Sequence, residues 1–387
     1  MGLAPDISIR IGTFMQRLIG SGRLTGGVTG VARRGKLVHF ATHGLRDIEA
    51  GSQMPGDGIF RMMSSGKPVT GVALLQQIEA GKVSLEDKIS KFIPELTGFR
   101  VRSSDAIASS TSTVPANRDI TVRDLATHTS GLNGFLLNIP SDVPFTLAAR
   151  IPFARNIVLD FQPGMRWSYS AVTGPDILAR IIEITSGLPF DRYLKERIFE
   201  PIGMRDTGFN TDMEQRSRVL PRYAREGTEW RRELSDLPLA EKLMPRSRDR
   251  NPKTTYFSGS FGLFSTARDY LLFETMLLNN GTIHGRRVLR PESVALMRSN
   301  LVQNLYDGGV AFPNSKGTGF GVQVRTILDS ESCNCGRPVG SFGWAGAYGT
   351  MSWTDPVNEL VAVYFVQQRV PAAEVEIGQV IADAING

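Results

Sequence analysis

A chain of 387 residues, 41% hydrophobic and 21% charged, has ample material for a large buried core and lacks the composition of a disordered or fibrous protein. Its formal charge of +6 is spread among interspersed acids with no run of five or six bases, which argues against nucleic-acid binding, and no apolar stretch is long enough to span a membrane. The opening residues, Met1-Gly2-Leu3-Ala4-Pro5-Asp6, have neither the basic region nor the apolar core of a secretory signal, so a cytoplasmic location is expected.

In chain order, Ile11, Phe14, Met15 and Leu18 recur at helical period. Val28 to Ala32 and Lys36 to Thr42, joined by Arg33-Arg34-Gly35, then predict a hairpin. From Pro68 to Ala80 the spacing of Val69, Val72, Ala73, Leu75 and Ile78 predicts a helix that stops at Gly81. Residues 86–260 mix helical patterns with irregular stretches, such as Ser103 to Asn117 and Glu226 to Asn251, and hold a second periodic helix from Asp176 to Thr185. A further helix is expected from Ala267 to Leu278. Strands follow at Gly319 to Ile327, Ala347 to Trp353 and Leu360 to Val366, with a last helix around Glu374 to Ile385. Strands at both ends of the chain imply an α+β fold in which one antiparallel sheet, flanked by helices, is built from residues 1–85 and 261–387. A mainly helical lobe, 86–260, is inserted between them. With no internal repeat or linker, 1–387 is expected to be a single catalytic domain.

Cys333 and Cys335 enclose only Asn334, a loop too short for an ordinary structural disulfide, so a pair of thiols in a turn is the expectation. His39, His43, His128 and His284 have no ligand-like spacing with them, and no metal or other cofactor is expected.

Three segments carry chemistry. Ser64-Ser65-Gly66-Lys67 stands where an irregular stretch meets the helix from Pro68. Residues three apart at a helix start share a face, so the Lys67 amine can reach the Ser64 hydroxyl, and a serine needs such a partner to become a nucleophile. Ser65 competes for the role of helix cap, but only Ser64 has the right spacing to the lysine. Trp167-Ser168-Tyr169-Ser170-Ala171 places a phenol in a loop ahead of a helix. A phenol titrates near ~10 in water, so a tyrosine acting as a base at neutral pH requires adjacent positive charge, which Lys67 would supply. In Gly343-Trp344-Ala345-Gly346-Ala347-Tyr348-Gly349, small residues on an edge strand would let backbone N–H groups approach a ligand, as an oxyanion hole requires.

Together these segments resemble the serine β-lactamase and penicillin-binding superfamily, in particular its class C-like branch with the carboxylesterases called family VIII. The likeness runs from Gly26 to about Asp355 and includes Leu125-Ala126-Thr127-His128-Thr129-Ser130-Gly131-Leu132. It implies the β-lactamase/transpeptidase-like fold, with Ser64 as nucleophile and Lys67 and Tyr169 as a coupled proton-transfer pair. It also implies oxyanion donors in the backbone N–H groups of Ser64 and Ala347, and substrate contacts from Trp344, Ala345 and Gly346. His128 is read as structural. No Gly-x-Ser-x-Gly elbow for a Ser-His-Asp mechanism is present.

Two departures from the lactamase pattern bear on the substrate. Ala171 replaces an asparagine whose amide would hold the acylamino group of a β-lactam or peptide, and Trp344-Ala345-Gly346 replaces a Lys-Thr-Gly cation. The expected activity is therefore hydrolysis of small to medium acyl esters, with a small-molecule acyl substrate and no nucleic-acid partner. The alternatives are a β-lactamase or D-amino-acid amidase or peptidase, an acyltransferase, and a non-catalytic ligand-binding relative. The sequence leaves the oligomeric state open.

Overall fold

The computed structural model describes residues 6–103, 112–133, 136, 139–233, 253–306, 315–368 and 373–386. Helix α1 (Ile7–Gly20) buries Ile7, Ile11, Phe14, Met15 and Leu18 along one side. Strands β1 (Gly26–Arg33) and β2 (Lys36–Asp47) form the expected hairpin, and Arg34 and Gly35 both take left-handed backbone at φ 50° and 73° to turn it. After the two-residue β3 (Ser52–Gln53) comes helix α2 (Lys67–Glu79), then α3 (Thr173–Ser186), capped by Gly187 at φ 74°. Helix α4 (Ala267–Leu278) starts where the hydroxyl of Thr266 accepts the Asp269 N–H. Strands β4 (Thr318–Phe320), β5 (Arg325–Ile327), β6 (Phe342–Ala345), β7 (Met351–Asp355) and β8 (Leu360–Phe365) and helix α5 (Ala373–Asn386) complete these elements.

The sheet runs β4-β5-β6-β7-β8-β1-β2-β3 and is antiparallel throughout. The two ends of the chain meet at its middle, where Val28 lies opposite Phe365 and Arg33 opposite Leu360. Every residue of β1 and β8 is buried, because both faces of the sheet are covered. One face packs against α1 and α5 through Leu18, Val31, Trp353, Ala362 and Ile377. The other meets α4 and, beyond it, the large core that holds α2 and α3 through Val72, Leu75, Ile177, Ile181 and Phe273.

Three local expectations are corrected. Gly319 to Ile327 is a hairpin, because the chain reverses at Gly321–Val324, with Gln323 at φ 61° and the Gly321 N–H bonded to Val324 O. Val322 and Val324 are fully buried there and supply the apolar alternation of a strand without being one. Ala347 to Trp353 is likewise divided: β6 ends at Ala345, residues 346–350 turn, and β7 starts at Met351. Cys333 and Cys335 form a disulfide. Asn334, at φ 46° just past the short helix Ser330–Cys333, folds the chain back so that the two Cα atoms stand 5.3 Å apart, within the range a disulfide spans.

Irregular Ser103 to Asn117 includes a strand, Thr113–Pro115, paired with Arg100–Arg102, and its residues 104–111 lie outside the described part. Glu226 to Asn251 begins in a hairpin, Tyr223–Glu226 with Glu229–Arg232, and 234–252 lie outside it. No described helix is long and apolar enough to cross a membrane.

Candidate active site

Ser64 sits in a 3-10 turn, Met63–Gly66, that leads into α2 without a side-chain cap. Ahead of it, Ile59–Arg61 pairs with Phe264–Thr266, and the Met62 N–H bonds to Leu263 O at 2.9 Å. Met63 then adopts φ 48°, a left-handed conformation that costs a non-glycine residue about 1 kcal/mol or more. Such strain persists where the surroundings hold it. Here Ser65 Oγ donates to Thr350 O at 2.8 Å, Thr350 Oγ1 donates to Met62 O at 3.0 Å, and Tyr270 Oη donates to Ser65 O. Ser65 is therefore an anchor of the turn and caps nothing.

Lys67, the first residue of α2, directs its side chain inward and is fully buried. Its Nζ lies 3.1 Å from Ser64 Oγ, 2.8 Å from Ala171 O and 2.8 Å from Ser260 Oγ. Tyr169 reaches the same serine from the other side, Oη to Oγ at 2.8 Å, and its ring centroid is 5.0 Å from Lys67 Nζ. A hydroxyl touched at once by an amine and a phenol is in contact with a pair through which its proton can pass.

The Tyr169 loop is pinned to the segment around His128. Gly164 N–H bonds to Thr129 O, Ser168 N–H to His128 O, and Ser170 Oγ donates to Leu132 O at 2.6 Å. His128 is fully buried, with its ring centroid 4.9 Å from that of Tyr169 and 5.1 Å from that of Phe320. Burial, with the nearby charge of Lys67, holds its imidazole well below the usual range, so it stays neutral at physiological pH. Among the described residues neither of its ring nitrogens has a hydrogen-bond partner.

On the third side β6 runs alongside the Ser64 turn. It lies between β5 and β7, but β5 pairs only with Phe342 and Gly343, so among the described residues Trp344 and Ala345 are paired with β7 alone, and the end of the strand beside Ser64 keeps the edge character expected. Beyond its end, Gly346 N–H bonds to Thr350 O at 2.7 Å, and Ala347 lies exposed in the turn. Among the described residues the Ala347 N–H makes no hydrogen bond. Gly346 is packed so closely that a Cβ there would stand 2.3 Å from Met62 O. Trp344 faces the site in an aromatic wall, its centroid 5.5 Å from Tyr169 and 5.3 Å from Phe320, with Trp167 and Tyr306 adjoining.

All the expected site residues thus converge on Ser64: Lys67 and Tyr169 by direct contact, and Trp344, Ala345, Gly346 and Ala347 through the strand end and turn beside it. Sequence reasoning missed Ser260 and, behind it, Asp176, which is fully buried and accepts from Tyr256 Oη at 2.7 Å and Ser258 Oγ at 2.5 Å. Burial raises its carboxyl to about 6, against the hydrogen bonds from Ser258 and Tyr256 and the charge of Lys67. Tyr270 and Thr350 were missed as well. Each reaches the nucleophile's turn from far away in sequence, and Asp176 gave no signal of its own, since an acid in the first turn of a helix is ordinary there.

The family model described as Beta-lactamase matches residues 11–385. Protein Rv1367c of Mycobacterium tuberculosis is 35% identical over 366 residues, covering 90% of this chain and 86% of its own. Esterase EstB of Burkholderia gladioli is 28% identical over 370 residues, covering 90% and 87%. Among solved structures, EstCE1, titled a hydrolase with promiscuous acyltransferase activity, superposes with a TM-score of 0.78 at 24% identity over 99% of both chains, a likeness of fold.

Proposed function

The chain belongs to the Beta-lactamase family, and from that premise we propose that it is a serine carboxylesterase that hydrolyses small to medium acyl esters. The observation that carries the reading is the placement of Lys67 Nζ and Tyr169 Oη at 3.1 and 2.8 Å from Ser64 Oγ. Ser64 Oγ attacks the ester carbonyl, and its proton passes to the Lys67–Tyr169 pair. The negative charge that develops on the carbonyl oxygen is met by the backbone N–H groups of Ser64 and Ala347, each donor of this kind being worth ~3 kcal/mol of barrier. Tyr169 returns the proton to the departing alkoxide, leaving Ser64 acylated. Water then adds to the acyl-enzyme, and collapse releases the carboxylic acid and restores the serine hydroxyl.

Two features support an ester over a β-lactam. Ala171 offers the site only its carbonyl, already held by Lys67 and Ser260, and its methyl group cannot bond an acylamino side chain. Trp344, in an aromatic wall with Phe320 and Trp167, sets an apolar surface where a cation would meet a substrate carboxylate. The name of EstB, a relative across most of the chain, points the same way.

Turnover of p-nitrophenyl butyrate and of a chromogenic cephalosporin by the protein and by Ser64→Ala tests the proposal. Ester turnover that disappears in Ser64→Ala, with little cephalosporin hydrolysis, supports it. Dominant cephalosporin turnover makes the protein a β-lactamase, product esters formed from an added alcohol make it an acyltransferase, and undiminished turnover in Ser64→Ala removes the nucleophile.

A further inference from the structure

Lys67 presents an unusual electrostatic problem. Its Nζ is fully buried, and the three groups bonded to it, Ser64 Oγ, Ala171 O and Ser260 Oγ, are all neutral. An ammonium taken out of water needs a compensating charge. The carboxyl in its field is Asp176, on the first turn of α3, which makes no direct ion pair with it. A strap, residues 256–261, lies between the two. Asp176 accepts from Tyr256 Oη and Ser258 Oγ, Ser258 Oγ accepts the N–H of Ser260 at 3.0 Å and of Phe261 at 3.2 Å, and Ser260 Oγ accepts from Lys67. The strap is itself tied to α2, since Thr70 Oγ1 donates to Gly259 O at 2.7 Å. Gly259 is required at this point, because a Cβ would stand 2.2 Å from Pro175 O.

We propose that Asp176 is the counter-charge of Lys67, a positioning residue that holds the ammonium in place through the Ser258–Ser260 strap. The inference rests on the reading of Lys67 as part of the proton-transfer pair of Ser64. An anion one layer behind the lysine stabilises its charged form without touching substrate, and the strap converts that attraction into a fixed direction. A carboxylate contacting Nζ directly would hold the amine away from Ser64, whereas two intervening serines leave it free to reach Ser64 Oγ.

The groups facing Asp176 are few. Lys67 approaches from α2, and Tyr256, Ser258 and Gly259 from the strap; Arg150 and Glu183 bear on Tyr256, and His128, which feels the charge of Lys67, stays neutral. Of these, Asp176 is the group that changes charge near pH 6, since its carboxyl lies at about 6. Protonation below that pH removes the counter-charge, so the nucleophilicity of Ser64 falls as pH drops through about 6.

The test has two independent readouts. The first is the rate at which a fluorophosphonate probe labels Ser64, located by mass spectrometry, from pH 5 to 9 in the wild type and Asp176→Asn. The expected result is a tenfold or greater slowing at pH 8 together with loss of the inflection near 6. A slowing by one factor at every pH, with the inflection kept, assigns Asp176 a packing role only and overturns the proposal. The second is urea unfolding of wild type, Lys67→Met, Asp176→Asn and the double variant. A double variant more stable than Asp176→Asn shows that the stranded ammonium was the cost of losing Asp176, while additive losses overturn the pairing. Absence of labelling at Ser64 in the wild type would refute the proposed function, and the unfolding cycle would still decide the charge pair.

Discussion

Replacing Gly346 with alanine puts a methyl group where the structure has no room for one. The new Cβ would stand 2.3 Å from Met62 O and 2.4 Å from Thr350 Oγ1, both inside the 3.0 Å that real Cβ contacts essentially never breach. Met62 O is backbone, fixed by its bond from Thr350 Oγ1, so either the turn 346–350 or the turn carrying Ser64 must retreat by at least 0.7 Å, from 2.3 to 3.0 Å. Those turns carry the two proposed oxyanion donors. A misplacement of about 1 Å costs on the order of 100-fold in rate, and overpacking of this kind costs about 1–3 kcal/mol of stability. We therefore expect Gly346→Ala to lose about 100-fold in kcat/KM on p-nitrophenyl butyrate, mostly in kcat, while remaining folded in urea titration. The matched control is Gly66→Ala, inside the Ser64–Lys67 tetrad. Its Cβ would meet only Leu263 side-chain atoms, at 3.7 and 3.8 Å, and its backbone is helical at φ −73°. That variant should keep wild-type turnover. Near-wild-type kcat in Gly346→Ala, or equal damage from both alanines, would refute the steric argument.

Other outcomes follow from buried groups. Glu274 on α4 is fully buried and accepts from Ser352 Oγ and Thr354 Oγ1 at 2.6 Å each, and burial outweighs those bonds to lift its carboxyl to about 7. Between 4.5 and about 7 the folded protein keeps a proton that the unfolded chain has released, so this group's contribution to stability declines with rising pH across that window, by about 3 kcal/mol in total; Glu274→Gln should flatten that slope in urea titrations at pH 5 and 8. His43, which shares the Thr29 hydroxyl with His39, acts in the opposite sense. Burial and the charge of His39 lower its imidazole to about 4, so its contribution is complete above 6.5 and is lost as pH falls toward 4, a dependence that His43→Gln should remove. Tyr270→Phe leaves Ser65 O without its buried donor and should cost about 1–3 kcal/mol, with a fall in kcat because Ser65 adjoins the nucleophile.

What could be read from the sequence was whatever is encoded locally. Helix α4 matches its expected limits at both ends because Thr266 caps it and Asn279-Asn280-Gly281 ends it, signals that lie within a few residues of the helix. The hairpin β1–β2 was equally plain from its Gly-containing turn. The strands of the last third were misjudged where burial does not follow strand periodicity: Val322 and Val324 alternate with polar neighbours and are fully buried, yet they belong to a turn that docks on the helical core, Gln323 N–H bonding to Ala126 O. The disulfide was missed because loop length was weighed without the left-handed Asn334 that brings Cys333 and Cys335 together.

The same division runs through the site. Ser64 and Lys67 are one helical turn apart, so spacing alone brings them into contact, and Tyr169 was legible only through its motif, since 105 residues separate it from Ser64. The parts that hold this trio in place left no such trace. Ser260 meets Lys67 across 193 residues, Tyr270 meets Ser65 across 205, and Thr350 meets Met62 across 288. Each acts through a hydroxyl, a group common enough in any sequence to be unremarkable until the fold aims it at a buried carbonyl or amine. The nucleophile therefore stands at a junction of distant segments whose contributions are orientation and charge. Substituting those supporting residues should lower kcat with little change in KM, because they set where Ser64, Lys67 and the N–H groups point and make no contact with the acyl group itself.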